Sequence, residues 1–161
     1  DSVTSPLTPI DRHMFTGLNF FAPDSTYAVK AKLVRSTNEK PFAMPTTTSR
    51  KPMYIKFGVL HFEITGRQFQ LNVYQNVDRP RNPLYKDYLF LPFTDLTSGV
   101  ESYGGGRYLD LKIPPDDILI LDFNRAYNPY CAYNPKYSCP IVPAENDLQI
   151  KIRAGAKKFK E

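Results

Sequence analysis

Two cysteines, Cys131 and Cys139, stand eight positions apart in a stretch crowded with tyrosine, asparagine and proline. Three chemistries suit that spacing. A disulfide would close a small ring and add about 2.5 kcal/mol by loop-closure entropy, if the Cα atoms come within about 7 Å. A pair of buried free thiols would suit a reducing compartment. A metal site would need more ligands, and the two histidines, His13 and His61, have no paired spacing. No metal is therefore expected, and His61 falls on the polar side of its segment. Upstream lies Gly104-Gly105-Gly106-Arg107. Glycines let a backbone turn sharply or approach a ligand, and a following arginine offers a forked donor to phosphate or carboxylate. The run matches neither the P-loop nor the dinucleotide fingerprint, so no cofactor is expected. A flexible turn, with Arg107 paired internally to Asp110 or Asp122, accounts for it equally.

Asp122, Asn124, Asn128, Asn134, Asn146 and Asp147 carry short polar side chains that bond to nearby backbone and tie down an extended loop. Some of them could instead face an open cleft. On that second reading the contact surface consists of Tyr103, Arg107, Asp122, Asn124, Tyr127, Asn128, Tyr130, Glu145 and Asn146. Aromatic faces with amide and guanidinium groups suit a small polar ligand, a glycan or a peptide strand. The carboxylates of Asp95, Glu101, Asp110, Asp122 and Glu145 could alternatively supply the acid and base of a hydrolase, given two of them in one cleft. No Gly-x-Ser-x-Gly elbow occurs, and no catalytic motif is recognisable.

The elements that must position these groups read as strands. In 27–34, Tyr27, Val29, Ala31 and Leu33 fall on one side and lysines on the other, a period of two. Met53–Phe57 reads as a strand. Leu60, Phe62 and Ile64 then alternate with His61 and Glu63. After Gly66-Arg67, Phe69, Leu71 and Val73 alternate with Gln68, Gln70 and Asn72. Two such runs joined by a short glycine-containing turn predict a β-hairpin. Tyr88–Phe93, Arg107–Ile113, Ile118–Phe123 and Leu148–Ile152 complete the set, with Ile118–Phe123 expected in the middle of a sheet. Residues 124–147 form a long loop whose aromatic content requires that it pack.

Seven or eight short strands predict a mainly β domain, either a β-sandwich or a partly open β-barrel with long Pro- and aromatic-rich loops. The composition agrees. Among 161 residues, 15 are proline and only 8 glycine, which disfavours a helical bundle, while 42% are apolar, which excludes wholesale disorder. Residues 1–26 read as an arm docked on a β domain at 27–155, through Leu7, Ile10, Met14, Phe15, Leu18 and Phe20. Residues 156–161 read as a basic tail. The net charge is +5, and the cations are dispersed elsewhere. That distribution speaks against a nucleic-acid partner. No stretch is apolar enough for a transmembrane segment.

Over most of its length the chain resembles the domain-of-unknown-function 1684 family of uncharacterised bacterial and archaeal proteins. The resemblance is carried by the run Tyr88-Leu89-Phe90-Leu91-Pro92-Phe93-Thr94-Asp95-Leu96-Thr97-Ser98-Gly99, then by Glu101-Ser102-Tyr103 and Gly106-Arg107-Tyr108-Leu109-Asp110. It continues through Asp122-Phe123-Asn124, Ala126-Tyr127-Asn128-Pro129, Cys131-Ala132-Tyr133, Cys139-Pro140, Pro143, Glu145-Asn146 and Ala154-Gly155. Ala156 stands where many relatives carry an acidic residue. The resemblance supplies no catalytic role. Relatives look like exported proteins with a cleavable leader, which implies an extracytoplasmic location, periplasmic or secreted, and an oxidised Cys131–Cys139 pair. The expectation is an exported, non-enzymatic binding or scaffold module.

Overall fold

The protein is seen as a computed structural model that describes residues 19–78 and 86–158. The arm's anchors at Leu7, Ile10, Met14, Phe15 and Leu18 lie outside the described residues. The strands are β1 (Ala28–Arg35), β2 (Phe42–Ala43), β3 (Met53–Ile64), β4 (Arg67–Asn76), β5 (Tyr88–Phe93), β6 (Arg107–Lys112) and β7 (Ile118–Asp122). They form a single antiparallel sheet in the order β6-β5-β4-β3-β1-β7, with the short β2 added to β3. The sheet curls strongly into a half-barrel. Of the two architectures expected, the partly open barrel is the one formed.

The β3–β4 hairpin follows directly from its turn. Thr65 and Gly66 both have positive φ, 49° and 83°, and Ile64 pairs with Arg67. A two-residue loop of that hand matches the right-handed twist of the flanking strands. The two runs read separately at 53–57 and 59–65 are one strand with a bulge between them. Lys56 pairs with Tyr74 but Gly58 pairs with Val73, so one extra residue, Phe57, enters the ladder. An inserted residue reverses which parity faces which side. Before it, Tyr54 points to one face; after it, Leu60, Phe62 and Ile64 point to the other. Gly58 is required where the bulge meets β1, because a Cβ there would lie 2.6 Å from the Val34 carbonyl oxygen.

The bulge thus divides the interior in two. The larger core lies inside the curl and contains Ala31, Leu33, Leu60, Phe62, Leu71, Val73, Leu91, Phe93, Leu121 and Phe123. The second, on the opposite side of the sheet, contains Met44, Tyr54, Tyr74, Phe90 and Tyr108, with Phe42, Tyr88 and Tyr127 packed against it.

Two strand assignments are corrected. Leu148–Ile152 is not a strand. Leu148, Ile152 and Ala154 are buried, but backbone pairing is confined to isolated bonds with the loop after β5, Leu148 N–H to the Thr94 carbonyl at 2.8 Å and Leu96 N–H to the Ile150 carbonyl at 3.0 Å, and side chains hold Ile152. The Ile152 N–H donates to Asp95 Oδ2 at 2.7 Å, and Arg107 Nη2 donates to the Ile152 carbonyl at 2.9 Å. Periodicity reports burial, and a clamped segment shows the same alternation as a paired one. Ile118–Asp122 is a strand, but it occupies the sheet edge, with Ile118 and Ile120 exposed. Backbone bonds also join Asn19 and Phe21 to residues 155 and 157, and Lys158 to Glu101. Ala156 is buried, and backbone bonds from Ala156, Lys157 and Lys158 anchor the first three residues of the span read as a basic tail.

Candidate functional site

On the outer side of the sheet, alternate residues of β3, β5 and β6 build an aromatic wall. Tyr54 lies 5.6 Å from Phe90, Phe90 meets Tyr108 edge-on at 4.7 Å, and Tyr108 meets Tyr127 edge-on at 5.9 Å. Such edge-to-face contacts are preferred by aromatic quadrupoles. The wall bounds a cleft of about 590 Å³ whose lining includes Tyr54, Tyr88, Tyr108, Asp110, Tyr127 and Tyr130. An adjoining hollow of about 450 Å³ shares Tyr54, Tyr88, Asp110 and Tyr130 and reaches Arg50.

Asp110 is the polar centre of this wall. It is exposed on β6 opposite Phe90 of β5. Its Oδ1 accepts hydrogen bonds from the Tyr88 hydroxyl at 2.6 Å and the Tyr127 hydroxyl at 2.5 Å. Hydrogen bonds to an ionised acceptor are short and strong. Burial, followed by the neighbouring carboxylate, pushes the Tyr88 phenol far above its ordinary range. Burial, followed by the Tyr88 phenol and Asp110, does the same for Tyr127. Tyr108 is also raised, chiefly by burial, and its hydroxyl donates to the Pro140 carbonyl. All three phenols are therefore neutral donors at physiological pH.

The cleft is roofed by the long excursion after β7, which does pack. Short 3₁₀ turns at Phe123–Arg125, Tyr130–Ala132 and Ala144–Asn146 punctuate it. Cys131 and Cys139 form a disulfide with a Cα–Cα separation of 6.3 Å. The bridged segment docks on the loop after β2. The Thr47 N–H donates to the Cys139 carbonyl at 3.0 Å, the Thr47 hydroxyl to the Tyr137 carbonyl at 3.0 Å, and the Ile141 N–H to the Pro45 carbonyl at 2.9 Å.

The structure scatters the residues expected to form one contact surface. Tyr127 and Tyr130 line the cleft. Tyr103 borders a separate small pocket beside the disulfide. Arg107 is fully buried and pairs with Asp95 at 3.3 Å, not with Asp110 or Asp122. It also donates to the carbonyls of Ile152, Ala154 and Ala156. Burial pulls the guanidinium below its ordinary value and Asp95 opposes that pull. The preceding Gly106, at φ 94°, lies so close to Phe93 that a Cβ would come within 2.6 Å of its carbonyl oxygen. Gly106 therefore serves close packing, while Gly104 and Gly105 are exposed. Asn146, also buried, accepts from the Asn72 N–H at 3.0 Å and donates to the carbonyls of Asn72 at 2.9 Å and Pro92 at 2.7 Å. It supplies a rung between β4 and β5 where Pro92 has no N–H. Asn128 is buried and donates to Tyr133 and the Lys157 carbonyl. Asn124 exchanges bonds with the Asp24 backbone at 3.0 and 2.9 Å, and Asp122 caps the turn beside it. Glu145 is exposed on the last 3₁₀ turn.

Among the carboxylates considered for acid–base work, Asp95 is buried against Arg107 and Glu101 pairs with Arg153 at 3.1 Å. Asp110 and Asp122 both line a slot of about 410 Å³ between residues of β6 and β7, the two free edges of the curl. No group of three or more His, Cys, Asp or Glu suited to a metal occurs among the described residues. Tyr54, Tyr88 and Tyr108 were not among the expected site residues. Their signal was present as tyrosines at alternate positions in strand-like runs, but it requires the β5–β6 register to be read.

Comparison with solved structures finds similarity to the solution NMR structure of an uncharacterised protein from the archaeon Haloarcula marismortui. The TM-score is 0.73 and the identity 35%, over 95% of this chain and 82% of that one. No curated protein matches the chain. Residues 13–157 match the family described as "Protein of unknown function (DUF1684)". The chain belongs to the DUF1684 family.

Proposed function

We propose that this domain is an exported, non-enzymatic binding module that holds a small polar ligand, of saccharide or short-peptide kind, in the tyrosine cleft. One observation carries the reading. Tyr88 and Tyr127 converge on Asp110 in the wall of an open, aromatic-lined cleft of about 590 Å³. Binding sites combine apolar walls with a few fixed polar groups in this way. The Cys131–Cys139 disulfide supports a location outside the cytoplasm, where such bonds persist. The site differs from the surface expected from sequence, because Arg107, Asn128 and Asn146 are committed to the fold. Saturation-transfer NMR against mono- and disaccharides and dipeptides tests the reading. Ligand signals should vanish in Tyr130→Ala and Asp110→Asn and persist in Lys32→Ala, on a distant strand. Hits indifferent to the cleft substitutions, or no hits at millimolar ligand, would overturn it.

A second reading is a carboxylate-using hydrolase. It rests on Asp110 and Asp122 lining the same slot. Turnover of chromogenic glycosides or esters that is lost in Asp122→Asn would favour it over simple binding. Absence of turnover would dismiss it.

A further inference from the structure

Among the described residues Asp110 has no ion-pair partner, and the Lys112 and Arg125 that line the slot beside it form none with it. The ion pairs among the described residues are Lys32–Asp117, Arg107–Asp95 and Arg153–Glu101, and Asp110 belongs to none of them. Its Oδ1 is occupied by two phenol donors, while its Oδ2 accepts from no described residue. Around it stand Tyr54, Tyr88, Phe90, Tyr108, Tyr127 and Tyr130. The faces of aromatic rings carry negative charge density, which attracts cations and repels anions. The two phenols fix the carboxylate's orientation and leave one oxygen for a ligand. An anionic ligand would meet repulsion from both carboxylate and rings. A neutral one would leave the carboxylate's charge unanswered.

We infer that the cleft recognises a primary ammonium group, with Asp110 Oδ2 accepting an N–H and the tyrosine rings flanking the charge. This deepens the binding reading and rests on it. Two kinds of small molecule bring this chemistry, a lysine-like side chain or an amino sugar, and the shared feature is the protonated amine. Arg50 also lines the adjoining hollow; it is exposed and in no ion pair among the described residues.

The test uses matched pairs that differ at the amine. One pair is Nα-acetyl-lysine methylamide and its norleucine counterpart; the other is glucosamine and N-acetylglucosamine. Binding is measured by chemical-shift titration of the full chain at pH 7. At least one amine should bind tenfold or more tightly than its neutral partner. That preference should disappear in Asp110→Asn, which keeps an oxygen for the two phenols, and should weaken in high salt. Tyr130→Ala, at a position already half exposed, should lower the affinity of the same amine severalfold while leaving the fold intact. Equal binding of both members of each pair at the cleft would overturn the ammonium inference and leave the binding module standing. Failure of all four compounds to bind would also overturn it, while the broader ligand screen decides the parent reading separately. The pair that responds identifies the source.

Discussion

Substitution of Arg107 by methionine separates a structural role from a ligand contact. The guanidinium makes four hydrogen bonds, to Asp95 Oδ1 and to the carbonyls of Ile152, Ala154 and Ala156. It also lies over the Phe93 ring at 5.2 Å. Methionine fills much of the volume but leaves the Asp95 carboxylate buried without its cation. Breaking one partner out of a buried pair costs about 3–5 kcal/mol. Orphaned carbonyls add to this, each at about 1–3 kcal/mol, to the extent that the chain cannot move to water. Asp95 keeps its bonds from Thr97 and the Ile152 N–H, which softens the loss, so about 4 kcal/mol is expected in total. With a urea slope of about 2 kcal/mol/M, the unfolding midpoint should fall by about 2 M. Arg107→Lys keeps the charge but not the fork, and should fall about half as far. The double variant Asp95→Leu/Arg107→Met removes both charges and should be more stable than Arg107→Met alone, giving a coupling of about 2 kcal/mol. The assay is urea denaturation followed by far-UV circular dichroism. A midpoint shift below about 0.5 M for Arg107→Met, with an unchanged slope, would refute the clamp and return Arg107 to the surface chemistry the sequence suggested.

Asn146→Ala should cost about 2–3 kcal/mol in the same assay, since the Asn72 N–H loses its acceptor and two carbonyls lose a donor; Asn146→Asp, which keeps only the acceptor, should recover part of that. Reducing the Cys131–Cys139 bond should lower stability by about 2.5 kcal/mol from loop entropy, and thiol titration of the folded protein without reductant should find no free cysteine. Stability should fall as pH rises above about 10, because the unfolded chain then releases phenolic protons that Tyr88, Tyr108 and Tyr127 retain when folded. Below that pH these groups add no slope, and absorbance near 295 nm should show the three phenols ionising only with unfolding. Gly58→Ala should cost about 2 kcal/mol or more, since its Cβ meets the Val34 backbone at 2.6 Å; a thermally neutral variant would show that the bulge relaxes freely.

The hairpin was legible because its signal is local: two alternating runs and Gly66 between them. The bulge was not, since nothing in Lys56-Phe57-Gly58 announces that one residue will stand outside the ladder. Reading straight through the strand would place Tyr54 with Leu60 and Phe62, when they face opposite sides. The Asx chemistry of Asp122 and Asn124 was recognised by type, and its loop-tying role is what the structure contains. Arg107 was recognised as important, but its partner lies twelve positions upstream, on the loop after β5, and no spacing rule selects Asp95 over Asp110. The apolar alternation at 148–152 reported burial faithfully and misled about pairing. From sequence Asp110 reads as a hydrolase acid or base or as an internal partner of Arg107, because its tyrosine partners come from β5 and from beyond β7 and converge only in three dimensions.

The clamp on Arg107 has a temporal side. Its three carbonyl acceptors lie 45, 47 and 49 positions downstream, so during synthesis the guanidinium emerges with only Asp95 of its partners in place. Until residues 152–156 arrive, closing the curl around β6 would bury the cation without those acceptors. The buried position of Arg107 is therefore satisfied in full only when residues 152–156 are present.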